Sequence, residues 1–149
     1  MRAVVQRVTS ASVTVDGDVV GAIETGLLVY VGVAQEDQDD AVEYLARKIA
    51  GLRIFADDQG RFSRSVVDVG GAVLLVSQFT LLGDTRRGRR PSFDRAAAPE
   101  HARATYERLG GALDALGVPV SWGRFQAHML VEAVNDGPVT MLLDSEKAF

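Results

Sequence analysis

Two short segments hold the residues best suited to chemistry. Ser77-Gln78-Phe79-Thr80 follows the apolar run AVLLV, and Gly137-Pro138 lies inside VNDGPVTMLL. The first offers two hydroxyls, an amide donor and successive backbone N–H groups at the end of a buried strand. There a rigid scaffold meets an accessible loop, and such N–H groups can stabilise an oxyanion. The plainer alternative is a polar strand exit with Phe79 packed into the core. In the second segment the default is an ordinary trans turn, with Pro138 as a strand-boundary residue. A cis bond would instead turn two adjacent carbonyls outward in a fixed direction, making a rigid acceptor pair able to hold an ammonium group.

Conventional catalytic signatures are missing. There is no G-x-S-x-G elbow, no H-E-x-x-H pair and no G-x-x-x-x-G-K-[ST] loop. Of the two histidines, His101 falls in the first turn of an amphipathic helix and is expected to face solvent. His128 could be a general base, but nothing in the sequence pairs it with a serine and a carboxylate. No spacing suits a metal. Zero cysteines exclude disulfides, thiolate catalysis and cysteine-based zinc sites, which fits a reducing compartment. Arg86, Arg87, Arg89 and Arg90 crowd into TRRGRRP, with Arg95 close behind. They could contact phosphates through charge-assisted hydrogen bonds, or stay a solvated loop. A net charge of −4 argues against a general nucleic-acid coat protein and leaves local basic recognition open.

These segments need elements to position them. Val4 to Val8 and Ser12 to Val15 read as short strands. Asp16-Gly17 is a two-residue hairpin signal, from which Val19 to Ile23 pairs back. Gly26 to Val33 is nearly all apolar, as in a strand buried on both faces. An antiparallel meander is the expected opening. Asp37 to Asp40 then supplies N-cap candidates for a helix carrying Val42, Leu45, Ala46 and Ile49, with Gly51 as its C-cap. Leu52 to Phe55 reads as a strand, Asp57 to Gly60 as a turn, and Ala72 to Val76 as another buried strand. Thr85 to Pro91 is a loop. Pro99 opens a second helix with an apolar stripe of Tyr106, Leu109, Leu113 and Leu116. Gly110-Gly111 weakens its middle and invites a kink, and Gly117 ends it. Val118 to Trp122 is extended. Met129 to Val134 and Val139 to Leu143 look like two strands joined by Asn135-Asp136-Gly137-Pro138.

With 149 residues, 47% hydrophobic and 24% charged, the chain suits one globular domain over residues 1–149. The expected class is α+β: a compact, mostly antiparallel, β-barrel-like sheet with two principal helices. No apolar run reaches the roughly 18 residues of a membrane span. The N-terminus lacks a continuous apolar h-region, so no signal peptide is expected.

MRAVVQRVTSASVTVDG, LLVSQFTL, DTRRGRRPSF, WGRFQAHM and VNDGPVT occur in this order. Together they resemble the D-aminoacyl-tRNA deacylase family, of the bacterial D-Tyr-tRNA(Tyr) deacylase type, over essentially the whole chain. SQFTL and NDGPVT in one chain at this separation are highly specific. The resemblance implies that family's fold, a homodimer, a cytoplasmic protein and no metal or organic cofactor. It implies hydrolysis of the ester joining a D-amino acid to the terminal adenosine of tRNA, with glycine mischarged on tRNA as a further substrate. This is proofreading of translation, and the partner is the aminoacyl-tRNA acceptor end.

Residue by residue, the resemblance implies a cis Gly137-Pro138 bond reaching from one subunit into the active site of the other. Its carbonyls would grip the α-ammonium so that an L-side chain clashes with backbone, and Arg7 would fix their orientation. Ser77, Gln78, Phe79 and Thr80 would form the opposite wall, with N–H groups around Phe79 as the oxyanion hole. Thr80 is a nucleophile candidate by position. Water is preferred, because no base is visible to activate a threonine hydroxyl and the ester is already activated, with a neighbouring ribose 2′-OH to assist. Phe125 and Met129 would line the adenosine site, and Arg86, Arg87, Arg89 and Arg90 would meet tRNA. Gln126 stands where the family often has a small residue, and GRFSRSV departs from its usual Asn-containing pattern. Two other readings stay open: a nucleic-acid-binding module without catalysis, and a relative of altered specificity, such as one acting on L-alanyl-tRNA, with a trans Gly137-Pro138 bond.

Overall fold

In the computed structural model, which describes Met1–Phe149, the chain is organised on its first strand. β1 runs unbroken over Arg2–Val15, where the sequence reading expects two short strands. Thr9 and Ser10 interrupt the apolar alternation and are exposed. A later strand nevertheless pairs through Ser10 and keeps the backbone extended. Asp16 and Gly17 turn the chain with φ of 49° and 84°, both positive as a type I′ turn requires.

β2 (Asp18–Ile23) then pairs with Ala11–Val15, and β3 (Gly26–Gly32) pairs with Arg2–Val8, both antiparallel. The expected meander is not formed. β3 continues in the direction of β2 along the same edge of β1. Glu24-Thr25 lacks the positive-φ residues that a tight reversal needs, so the chain carries on instead of doubling back.

α1 (Asp39–Gly51) and the hairpin β4 (Phe55–Ala56)–β5 (Phe62–Arg64) follow. β6 (Ala72–Ser77) is parallel to β3, and beyond it lie a 3₁₀ turn (Phe79–Leu82) and α2 (Pro99–Ala115). β7 (Val120–Trp122) is parallel to β6, and β8 (Leu130–Asp144) runs along the free edge of β1. The order β2-β1-β3-β6-β7 curls until its ends meet. Ser121 Oγ donates to the Ala22 carbonyl at 3.2 Å, and a Cβ on Gly21 would overlap the Trp122 carbonyl oxygen. The sheet is thus nearly closed as a barrel, with both helices outside it.

The central strands bury both faces, as their unbroken apolar runs predict. Leu27, Val29 and Val31 of β3 and Val73 and Leu75 of β6 pack under the helices with Leu45, Ile49, Leu109 and Leu113. Leu28, Leu74 and Val76 point the other way, into the barrel with Val8, Val13 and Ile23.

Several local expectations shift. Asp37 does not cap α1. It is buried, takes the Met1 ammonium on Oδ1 at 2.5 Å, and accepts the Ala34 N–H on Oδ2 at 2.6 Å. Gln38 is the N-cap, without a side-chain bond, and Leu52 follows the helix end in place of Gly51. Only Phe55 of the Leu52–Phe55 segment joins a strand. His101 is half-buried with Nε2 2.9 Å from the Asp37 carbonyl, not solvent-facing, because that carbonyl projects beneath the first turn of α2. α2 continues through Gly110-Gly111. Gly110 is small because the Trp122 indole occupies the space a Cβ would take. Leu116 lies past the helix end and is exposed.

The largest shift is β8, one 15-residue strand in place of two. Gln6 pairs with Thr140 and Val8 with Asn135. Arg7 alone therefore faces Asp136–Val139, so the surplus residues form a bulge on a continuous ladder, not a hairpin.

Candidate active site

β6 ends at Ser77, opposite Val31, and the Gln78 N–H still donates to the Val31 carbonyl at 2.7 Å. The chain then tightens into the 3₁₀ turn, whose bonds run from the Leu81 N–H to the Gln78 carbonyl and from the Gly83 N–H to the Thr80 carbonyl. Phe79 and Thr80 head this turn, so their N–H groups have no acceptor within it. The Gln78 amide donates to Thr80 Oγ1. Phe79 is 55% exposed, not buried as a plain strand exit would have it. Its ring meets Phe93 edge-on at 5.0 Å.

A cavity of about 600 Å³ opens beside the turn. Ser77, Gln78 and Phe79 line it, and Phe125, His128 and Met129 line it too. Ala97, Pro99 and Ala102, at the start of α2, complete its mostly apolar lining. An apolar hollow with a few polar groups at one edge suits an aromatic or heteroaromatic ligand. Phe125 rests at 6.0 Å from Tyr106, whose hydroxyl donates to the Leu75 carbonyl at 2.7 Å. Burial pushes the Tyr106 phenol well above its ordinary range, so it holds β6 against α2 as a neutral donor. Met129 curls back so that its sulfur accepts the Arg124 N–H at 3.4 Å. Gln126 has φ of 61°. Few side chains with a Cβ adopt this left-handed backbone, and Gln126 does so at the mouth of the cavity. No cluster of His, Asp and Glu has the grouping to hold a metal.

The Gly137-Pro138 bond is cis and lies on the bulge of β8. Asn135 buckles that bulge: its Nδ2 donates to the Arg7 and Val139 carbonyls, each at 2.9 Å. Arg7 braces it from the other side. Nε donates to the Asp136 carbonyl at 3.1 Å and faces its carboxylate at 3.3 Å, and Nη1 donates to the Ile54 carbonyl at 2.7 Å. The guanidinium lies 5.4 Å from the Phe62 ring centre. Gly137 has φ of 130°, and a Cβ there would come within 3.2 Å of Arg7 Nη2. Glycine is thus required twice, by backbone angle and by space.

The two segments are not brought together within the chain. Arg7, Gly137 and Pro138 line no part of the cavity that Ser77, Gln78 and Phe79 share with Phe125 and Met129, and neither does Thr80. The arginine loop stands on a two-bond bridge between Asp84 and Ser92, and its foot reaches the cavity edge through the Phe93–Phe79 contact. Arg86 is engaged by Asp84 at 2.6 Å, and its hydrogen bonds hold that carboxyl down to about 2. Arg87, Arg89 and Arg90 are exposed. The sequence reading missed the α2 wall, His128 as a lining residue, and the buckle role of Asn135. An asparagine just ahead of a glycine-proline pair was the available signal for the last.

Known proteins resemble this arrangement closely. Residues 4–144 match the D-Tyr-tRNA(Tyr) deacylase family. A D-aminoacyl-tRNA deacylase of Symbiobacterium thermophilum is 61% identical over 149 residues, covering 100% of this chain and 99% of the relative. One of Koribacter versatilis is 62% identical over 149 residues, with 100% of both chains covered. Among solved structures, a c-Myc DNA unwinding element binding protein superposes with a TM-score of 0.92 at 42% identity, over 97% of this chain and 98% of that one. A probable eukaryotic D-amino acid tRNA deacylase, at 18% identity, shares the fold with a TM-score of 0.83 over 95% and 97% of the two chains.

Proposed function

The chain belongs to the D-Tyr-tRNA(Tyr) deacylase family and is a hydrolase of D-aminoacyl-tRNA; we propose that it works as a chiral proofreader whose site is completed across a homodimer. The terminal adenosine enters the cavity against Phe125 and Met129. The ester carbonyl meets the N–H groups of Phe79 and Thr80, which stabilise the oxyanion as it forms. Water adds to that carbonyl, the bond to the ribose oxygen breaks, and the proton ends on the ribose hydroxyl. No serine–histidine–carboxylate relay is required of an ester this activated, and positioning with oxyanion stabilisation carries the rate. The Gly137 and Pro138 carbonyls of the second subunit, held in place by Arg7, accept the α-ammonium and reject L-side chains, while glycine, lacking a side chain, is accepted. Arg87, Arg89 and Arg90 stand ready for tRNA phosphates, and Arg86 joins them where a phosphate displaces its Asp84 partner. The cytoplasm, where tRNA is charged, is the proposed location, and residues 1–149 act as one domain.

One observation supports this reading above the others: Arg7, Gly137 and Pro138 line no part of the cavity that Ser77, Gln78 and Phe79 line in the same chain. The bulge projects from an edge strand whose Leu130, Val134 and Leu142 are exposed. Such an edge, unpaired and apolar, is suited to burial against a second copy.

The deciding experiment incubates the purified protein with D-Tyr-tRNA and L-Tyr-tRNA in the presence of EDTA. Rapid loss of the D-ester alone is expected. If the L-ester is lost equally fast, the rejection mechanism is wrong. A second reading, a nucleic-acid-binding module without catalysis, draws on the exposed arginine loop. Retained tRNA binding with both esters intact would favour it.

A further inference from the structure

Beyond Phe125 the first cavity has a neighbour. A second hollow, of about 510 Å³, is lined by Arg103, Tyr106, Trp122 and Arg124, with Phe125 shared between the two. A third shares Pro99 and Gln126 with the first and Arg103 with the second. The Arg103 guanidinium lies 5.0 Å from the Phe125 ring centre, and both Arg103 and Arg124 are exposed. Neither is drawn into an ion pair, unlike Arg108 on the same helix, which meets Asp39 at 3.2 Å. Free guanidinium groups beside partly buried Trp122 and Phe125 combine what single-stranded nucleic acid needs: charge for phosphate, and flat surfaces for a base. Glu100 and Glu107 border the hollows and repel phosphate, which narrows the favourable path to the strip between Arg103 and Arg124.

We propose that this strip binds the nucleotide immediately upstream of the terminal adenosine, its phosphodiester on Arg103 and Arg124. The substrate class is therefore an RNA with a single-stranded 3′ end, and the second hollow is a subsite of the same enzyme. The proposal rests on the function proposed above, which seats the adenosine against Phe125. The hollows adjoin across the shared Phe125 wall, which places the second one next to the adenosine seat. Arg103 is the one arginine of α2 that lines the second and third hollows.

The test compares two substrates: D-tyrosyl-tRNA, and D-tyrosyl-adenosine, which carries no phosphate. Each is given to the full-length protein and to its Arg124→Gln and Arg103→Gln/Arg124→Gln variants. For the tRNA ester, KM should rise in the variants. The slope of log(kcat/KM) against log salt should flatten by about 0.7 for each arginine removed. Cleavage of D-tyrosyl-adenosine should be unmoved, which also reports that the variants are folded. An unchanged salt slope for the double variant overturns the proposal. An equal loss on both substrates overturns it too, since the arginines would then act through the first cavity. If the unsubstituted protein cleaves neither ester, the functional reading falls and this proposal with it.

Discussion

Thr80 carries the sharpest residue-scale question. Its hydroxyl accepts a hydrogen bond from Gln78 and does not line the cavity, while its backbone N–H is free of the turn. Thr80→Ala removes the hydroxyl and keeps the N–H. The expected loss in kcat is smaller than the roughly 10²–10³-fold cost of losing an oxyanion donor. Single-turnover deacylation checks this, and a near-complete loss would make Thr80 the nucleophile. Arg7 poses the complementary case. Its side chain is only 12% exposed and ties Asp136 to Ile54. Arg7→Gln leaves the carbonyl of buried Ile54 short of its donor, with an expected cost of about 1–3 kcal/mol in stability. Freed carbonyls at the bulge should also cut kcat/KM for the D-ester by roughly a hundredfold. Denaturant titration and D/L rate ratios measure the two effects, and an unaltered rate would remove Arg7 from the positioning role. The residue types in both segments were readable from the sequence. Their partners were not, because the Arg7–Ile54 and Arg7–Asp136 bonds span 47 and 129 residues, and no local rule reaches that far.

At the scale of elements, legibility followed locality. The Asp16-Gly17 turn, the doubly buried β3 and β6, and Pro99 at the start of α2 all rest on neighbours in sequence, and all stand in the structure. Errors gathered where a partner strand overrode a local signal. Thr9-Ser10 looked like the end of a strand, and Asn135–Pro138 like a connection between two strands, yet the β1–β8 ladder runs through the first and resumes on both sides of the second, which bulges. Glycine shows the same division between local and tertiary demand. Gly26 packs against the Ala72 backbone, where a Cβ would overlap the carbonyl, whereas a Cβ on Gly111 would meet nothing within 4 Å. Gly26→Ala is expected to destabilise by about 1–3 kcal/mol through overpacking. Gly111→Ala, inside α2, is expected to stabilise by about 0.5–1 kcal/mol. Thermal melts should move in opposite directions; a shift of the same sign in both would contradict the close approach of β3 to β6.

For the whole molecule, the unpaired edge of β8 carries the expectation of a dimer. Leu142 is 57% exposed there, too apolar for a lone edge strand to leave in water without consequence. Sedimentation of the protein should give twice the chain mass. Leu142→Glu should yield a folded monomer with deacylation lost, and a fully active monomer would refute the cross-subunit site. The β1–β8 ladder has another consequence, for the birth of the protein. Arg2 and Asp144, bonded side chain to side chain, are 142 positions apart. While a ribosome adds the intervening residues, at about 5–20 per second, one edge of β1 waits bare for on the order of ten seconds. Long-range pairing of this kind makes folding slow and leaves a nascent chain open to wrong partners. This hydrolase of D-aminoacyl-tRNA is thus itself most vulnerable during its own synthesis, until its last strand emerges and closes the sheet.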